Sequence, residues 1–232
     1  MVDKISLVML ITVFTIFLFF NISPQQQQAK AFTPSNSPDT NNNIVNSPPD
    51  ESSPGSFSSY VNDTFGITMQ YPTNWEVSEQ GVYPIPPDST DDIVSFQNPA
   101  SENASGPYVD VLTEKLDPVP SLTEYLNESI AAEKDLSGAN ILDSNTSATL
   151  AGHPAYIMVS SYTPGTEENA SSFKKIETGT IVGNLAYVIT YDVEDKDYAK
   201  YLPYVQKMID SFKISSAPSD SDVSGNYTTF IQ

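Results

Sequence analysis

The chain has 232 residues, which is enough for one domain with a hydrophobic core of ordinary size. It carries 29 aspartate and glutamate residues against 10 basic ones, all of them lysine, so its net charge is −19. This negative field repels nucleic-acid backbones and anionic membrane surfaces, and the lack of arginine removes the usual bidentate ligand of phosphate. We therefore expect no nucleic-acid partner.

The first 31 residues have the three parts of a secretory signal. Lys4 precedes an apolar run over residues 5–22, and Ala29-Lys30-Ala31 supplies the small residues of a cleavage site. An uncleaved anchor is the alternative, because roughly 18 apolar residues reach the lower limit for crossing a bilayer. Either way the rest of the chain is expected outside the cytoplasm, secreted or at the cell surface, and only this segment would contact a membrane.

Two polar segments flank the part of the chain that is expected to fold. Residues 32–56 are rich in proline, serine and asparagine and hold too few apolar side chains to offset the entropy of ordering. They predict a disordered stalk, and residues 215–232 predict a flexible acidic tail. The folded domain is therefore expected over residues 57–214. It must be held by its core, because the absence of cysteine excludes disulfides.

Six Asn-x-Ser/Thr triplets follow the signal, and none has proline in the middle position. In an exported protein such triplets are candidate N-glycosylation acceptors on surface segments. The six asparagines are Asn62, Asn103, Asn127, Asn145, Asn169 and Asn226.

Short apolar runs separated by turn residues predict a series of strands. Residues 62–66 lie between two such runs and predict a hairpin, and Gly183-Asn184 predicts a second tight turn. Residues 185–191, LAYVITY, are apolar on both faces, which is typical of a central strand. In the segment 108–116, Val109, Val111 and Thr113 alternate with acidic positions. Strands are expected at 60–61, 67–71, 93–96, 108–116, 141–150, 155–162, 173–182 and 185–192.

Two helices are predicted by capping and periodicity. Ser121 and Glu124 form the capping-box pattern, and an apolar stripe follows at Leu122, Tyr125, Leu126 and Ile130. A second stripe covers residues 195–212, and Pro203 inside it predicts a kink or a new helix start. Strands in hairpin order with two helices predict an α+β fold, in which helices cover an antiparallel sheet.

Several segments, taken in order, resemble one known family. The first are Tyr60-Val61-Asn62, the run from Phe65 to Pro72, and Trp75; the later ones are 150–152, 154–156, 185–189 and 208–212. They resemble PsbP-like domains, the extrinsic subunits of photosystem II and their relatives. The resemblance implies the α/β/α sandwich with a central antiparallel sheet that PsbP shares with Mog1-type proteins.

The resemblance does not extend to the photosynthetic role. Plant members help photosystem II retain calcium and chloride, and they dock through a basic face. This chain is acidic, lacks arginine and begins with a secretory signal instead of an arginine-rich transit peptide. It is more similar to exported archaeal PsbP-like proteins of unassigned role.

The sequence offers few residues with specific chemistry. The single histidine, His153, lies in Gly152-His153-Pro154 and is expected to be an exposed turn residue. Zinc sites of the Cys/His type and phosphate-binding glycine loops are absent from the sequence. We therefore expect no catalytic residue and no resident cofactor.

Calcium is the cation that the acidic segments would suit. Asp220, Asp222, Ser224 and Gly225 follow the first half of a calcium-binding loop, but Ile231 stands where a bidentate glutamate belongs. A second acidic group lacks the glycine and is expected at a helix start, where negative charge is favoured. It comprises Asp192, Glu194, Asp195 and Asp197.

These observations favour a non-catalytic binding or accessory module at the cell surface or in the medium. Its partner would be a membrane protein complex or an envelope protein, which the stalk would allow it to reach. Two alternatives are a cation-dependent or carboxylate-based extracellular hydrolase, and a glycosylated structural component of the envelope. The fold alone does not separate them, because one fold hosts many functions.

Overall fold

The computed structural model describes residues 55–79, 90–99, 106–136, 138–165 and 170–215. The signal segment, the stalk up to residue 54 and the tail from residue 216 lie outside these residues. The described helices are α1 (Leu122–Lys134) and α2 (Asp195–Ser211). The described strands are β1 (Phe57–Asn62), β2 (Ile67–Pro72), β3 (Glu76–Glu79), β4 (Thr90–Gln97), β5 (Tyr108–Lys115), β6 (Asn140–Leu150), β7 (His153–Tyr162), β8 (Phe173–Val182), β9 (Leu185–Glu194) and β10 (Lys213–Ile214).

Seven strands form one antiparallel sheet in the order β3-β4-β5-β9-β8-β7-β6. All ten residues of β9 are buried, and β9 is the middle strand of the sheet. Its side chains alternate between two cores, one on each face, because successive residues of a strand point to opposite sides. The predicted central position of this strand is confirmed.

The hairpin turns depend on residues that adopt positive φ. Gly183, with φ of 65°, forms the β8–β9 turn that the sequence predicts. In the β6–β7 turn both Ala151 (φ 53°) and Gly152 (φ 81°) are left-handed, so two residues complete the turn. His153 is therefore the first residue of β7, where it pairs with Leu150. The prediction of His153 as an exposed turn residue is wrong.

A second, three-stranded sheet packs beside the first and has the order β1-β2-β10. The β1–β2 hairpin confirms the sequence prediction, and Gly66 in its turn has φ of 63°. Strand β10 pairs with the first two residues of β2. The sequence did not predict β10, because a two-residue strand is too short to show an alternating pattern.

Helix α1 begins at the predicted capping box. The Ser121 hydroxyl oxygen accepts from the Glu124 backbone N–H at 3.2 Å, and the Glu124 carboxylate accepts from the Ser121 N–H at 2.8 Å. Tyr125 and Leu126 are buried on the face that packs against β6 and β7. Leu122 and Ile130 pack against the same core, so the predicted apolar stripe faces the sheet.

Helix α2 packs on the other face of the large sheet and against β2. Its residues Val205 and Met208 are buried in the main core, together with Phe212 just after the helix. The helix continues through Pro203 to its end, so the predicted new start at that residue is wrong. Core-facing residues lie on both sides of the proline, and their packing outweighs the one hydrogen bond that it removes.

The domain thus has three layers: α1, the seven-stranded sheet, and α2 beside the small sheet. This confirms the predicted α+β sandwich with a central antiparallel sheet. Among the described residues, no helix combines the length and the apolar character needed to span a membrane.

Candidate functional site

The sheet face under α1 is apolar near the start of the helix and polar near its end. Tyr108 pairs with Asp192 across β5 and β9, and Asp192 pairs with Lys175 across β9 and β8. Because paired residues share a face, these side chains form one polar row. We call the group around this row the buried polar cluster. It comprises four buried residues, Glu133, Ser160, Glu177 and Asp192, and four half-buried ones, Tyr108, Asp110, Tyr162 and Lys175.

The first part of the cluster is an ionic group that ties α1 to the sheet. Lys175 Nζ lies 3.0 Å from Glu133 Oε2 of α1 and 3.1 Å from Glu177 Oε2 of β8. The Ser160 hydroxyl donates to Glu133 Oε1 at 2.6 Å, and the Tyr156 hydroxyl donates to Glu177 Oε1 at 2.8 Å. Both carboxylates therefore have a partner at each oxygen, as buried charges require.

The pKa values of this group follow from its pairing. Burial by itself lowers the pKa of Lys175, but the carboxylates of Glu177 and Glu133 outweigh it and hold the pKa above its usual range. Burial raises the pKa of Glu177, yet Lys175 and the Tyr156 hydroxyl bring it below its ordinary value. Both groups therefore stay charged at neutral pH.

The second part of the cluster is a pair of aspartates on adjacent strands. Asp110 of β5 lies diagonally across from Asp192 of β9 on the same face. The Tyr162 hydroxyl donates to Asp192 Oδ2 at 2.7 Å. Asp192 is only 4% exposed, and its Oδ1 has no hydrogen-bond partner within the described residues. One buried carboxyl oxygen thus lacks the bond that would stabilise its charge.

Burial raises the pKa of both aspartates to about 7. For Asp192, the Tyr162 hydroxyl and Lys175 oppose this rise, while Glu133 and Asp110 add to it. For Asp110, a hydrogen bond from Ser95 opposes the rise, and Asp92 adds to it. At neutral pH the pair can therefore hold or release a proton.

The acidic group expected at the start of α2 is split by the structure. Asp195 and Asp197 do lie in the first turn of the helix, and Asp195 pairs with Lys174 at 2.8 Å. Glu194 is the residue just before the helix and pairs with Lys196. Asp192, in contrast, is a strand residue whose side chain faces α1, so its predicted place at the helix start is wrong.

The other predicted site residues do not come together. The calcium-like motif at Asp220, Asp222 and Ser224 lies outside the described residues. Within the residues that the structure describes, no three His, Cys, Asp or Glu side chains are arranged to hold a metal ion. Of the candidate glycosylation sites, Asn62, Asn127 and Asn145 are described. Asn103, Asn169 and Asn226 are not.

Sequence reasoning missed most of the buried polar cluster. The alternation in β5 did not show what covers its acidic face, part of which packs under α1. Glu114, for example, is buried and accepts a hydrogen bond from the Tyr125 hydroxyl at 2.8 Å. One weak signal for the cluster was present in the sequence. Lys175 and Glu177 are two residues apart on β8, so they share a face of the sheet and can form an ion pair.

The comparison with known proteins decides the family. The model of the family described as PsbP-like protein matches residues 5–214, which is most of the chain. The chain belongs to this family of PsbP-like proteins. The match also takes in the apolar run near the N-terminus, in addition to the described domain. No curated protein sequence matches the chain.

Solved structures align with this chain at low sequence identity. LpqN of Mycobacterium tuberculosis, a protein involved in cell envelope biogenesis, aligns with a TM-score of 0.50 and 14% identity over 71% of this chain and 87% of LpqN. Cyanobacterial PsbP (CyanoP) of Synechocystis sp. PCC 6803 aligns with a TM-score of 0.48 and 12% identity, over 69% of this chain and 93% of CyanoP. The Ran-binding protein Mog1p of Saccharomyces cerevisiae aligns with a TM-score of 0.43 and 12% identity, over 70% of this chain and 97% of Mog1p.

Proposed function

We propose that this PsbP-like protein is an exported, non-catalytic accessory module that binds another protein of the cell envelope. The observation that carries the proposal is the family match over residues 5–214, because it joins the apolar N-terminal run and the folded domain in one family pattern. The envelope role stated for LpqN supports this location. In this proposal the segment before the domain serves as a linker, and its length limits how far the domain can reach toward its partner.

The ionic group of the cluster also favours a non-catalytic role. Lys175 pairs with Glu133 and Glu177, and two hydroxyls bond the other oxygen of each carboxylate. Groups bonded in this way stabilise the junction of α1 and the sheet, and each carboxylate oxygen already has a partner. We therefore assign these residues to the stability of the module.

The proposal is tested by locating the chain and cross-linking it in intact cells. The tagged full-length chain should be cut by protease added outside the cells, and a variant with Lys4 and the apolar run deleted should stay protected inside. Cross-linking of intact cells should yield the same envelope protein with wild type in each repeat, and none with the deletion variant. Protection of the wild-type domain from external protease would contradict export. An exported chain that forms no cross-link to another protein would contradict the accessory role.

A carboxylate-based hydrolase is the second candidate, and the aspartate pair is the observation that favours it. Two adjacent carboxyls with pKa values of about 7 match the general acid and base that such enzymes use. Wild type and Asp110→Asn would be compared on ester, phosphoester and glycoside substrates, with Asp63→Asn as a matched control on an exposed turn. Turnover that is lost only in Asp110→Asn would support the hydrolase, and no turnover would favour the accessory module.

A further inference from the structure

Strand β6 forms one edge of the large sheet, and no strand of the described residues pairs with its outer backbone edge. It has 11 residues, and β7 is its one strand neighbour within the described part of the chain. Leu142 on this strand is 48% exposed. An exposed edge strand is a template for pairing with a strand of another molecule, and folded proteins usually protect such edges. Two register irregularities in the β6–β7 ladder give part of this protection.

One of the candidate glycosylation triplets, Asn145-Thr146-Ser147, lies on this edge strand. The Asn145 side-chain oxygen accepts from the Ser147 backbone N–H at 3.1 Å and from the Ser147 hydroxyl at 2.9 Å. Among the described residues, nothing accepts from the Asn145 amide nitrogen. Asn145 is half-buried, the two residues after it are exposed, and the atom that would receive a sugar is not engaged by these described residues. The hydroxyl that the triplet requires contacts the same side chain.

The two other described triplets differ from Asn145 in a way that matters for modification of the folded protein. The Asn62 amide nitrogen donates to the Tyr60 hydroxyl at 3.0 Å, and Tyr60 is a core residue. Asn127 is exposed on α1, but the hydroxyl residue of its triplet, Ser129, is 3% exposed under the helix. Modification of either site would require a bond to break or a helix to open.

We propose that Asn145 is an N-glycosylation site and that its glycan covers the open edge of β6. The donor is a polyprenyl-pyrophosphate-linked oligosaccharide. The Asn145 amide nitrogen forms a bond to the anomeric carbon of the first sugar and loses one proton, which passes to water. The bond from that carbon to the phosphate oxygen breaks, and the lipid pyrophosphate leaves with the electron pair. In the cell this modification depends on the export proposed above.

The site is tested on the folded full-length chain made without N-glycosylation. Purified oligosaccharyltransferase and the lipid-linked donor are added, and mass spectrometry of glycopeptides gives the occupancy of each site over time. We expect Asn145 to be modified about tenfold faster than Asn127 in the folded chain. This ratio corresponds to a local opening of α1 around Asn127 that costs about 1.4 kcal/mol. The difference should vanish in urea. Ser147→Thr should keep the modification, and Ser147→Ala should lose it.

The outcome separates this inference from the question of export. Modification of Asn127 or Asn62 ahead of Asn145 in the folded chain would overturn it, wherever the chain is located in cells. If Asn145 reacts in the purified system while cell fractionation finds the chain inside, the site stands and export fails.

The covering role has its own test, which compares the glycosylated and unglycosylated chains by sedimentation at several concentrations. The unglycosylated chain should self-associate at least about tenfold more tightly, because its β6 edge can pair with a second copy. Leu142→Lys should restore the monomer without a glycan, and Thr123→Lys, an exposed change on α1, should not. Equal association of the two chains would overturn the covering role.

Discussion

Replacing Asp192 by asparagine should change how the stability of the domain depends on pH. The substitution keeps the size of the side chain and an oxygen that can accept from the Tyr162 hydroxyl. It removes the negative charge that wild type must hold in a buried position. We chose Asp192 over Asp110 because Asp192 is only 4% exposed and Asp110 is partly accessible to solvent.

The expected size of the effect follows from the pKa difference between the two states. The pKa of Asp192 rises from 3.8 to about 7 on folding, because burial disfavours the carboxylate. Between these values the folded state holds a proton that the unfolded state has lost, so the free energy of unfolding falls as pH rises. A pKa difference of about 3 between the folded and unfolded states lowers the free energy of unfolding by about 4 kcal/mol across this pH range, at about 1.4 kcal/mol per pH unit.

Urea unfolding of both proteins at pH 4, 5, 6, 7 and 8 measures this effect. The free energy of unfolding of Asp192→Asn minus that of wild type should rise from pH 4 to pH 7 and then become constant. Asp63→Asn, which changes an exposed turn residue, is the matched control. A flat difference for Asp192→Asn would refute the argument that burial costs this carboxylate its charge.

Three further substitutions test the packing. Gly179→Ala should destabilise by roughly 1–3 kcal/mol, because its Cβ would lie 2.7 Å from a buried tyrosine ring, whereas Gly55→Ala, with nothing within 4 Å, should be neutral in thermal melts. Lys175→Met leaves two buried carboxylates unpaired and should cost roughly 3–5 kcal/mol in urea unfolding, while the exposed Lys196→Met should change little. Ser121→Ala removes a helix cap, and calorimetry should show a loss of about 1 kcal/mol.

The elements that the sequence predicted well carry strong local signals. The capping box at Ser121 and the turn at Gly183 depend on a few neighbouring residues, and both are confirmed. The first five residues of β9, Leu185–Ile189, are all apolar, which is typical of a strand covered on both faces. In each case the interactions or the side-chain pattern that determine the element involve only neighbouring residues of the chain.

The buried polar cluster was missed because its members meet only through the sheet register. Glu133 and Lys175 are 42 residues apart, and their contact depends on α1 covering the polar half of the sheet face. Asp192 belongs to an acidic run that continues into α2, so its neighbours in sequence suggested a helix start. A strand pattern shows which residues share a face, but it does not show what covers that face.

The small sheet determines how the domain would respond to force on its N-terminal side. Phe57, the first residue of β1, pairs with Pro72, at the open end of the β1–β2 hairpin, and Ser56 accepts a backbone bond from Thr73 at 2.9 Å. Tension applied at residue 55 would therefore load the hairpin bonds one after another from that end. The hairpin would peel open before the seven-stranded sheet is strained, and pulling single molecules from residue 55 should show this as a short early extension. The small sheet would then be the first part of the domain to unfold under force.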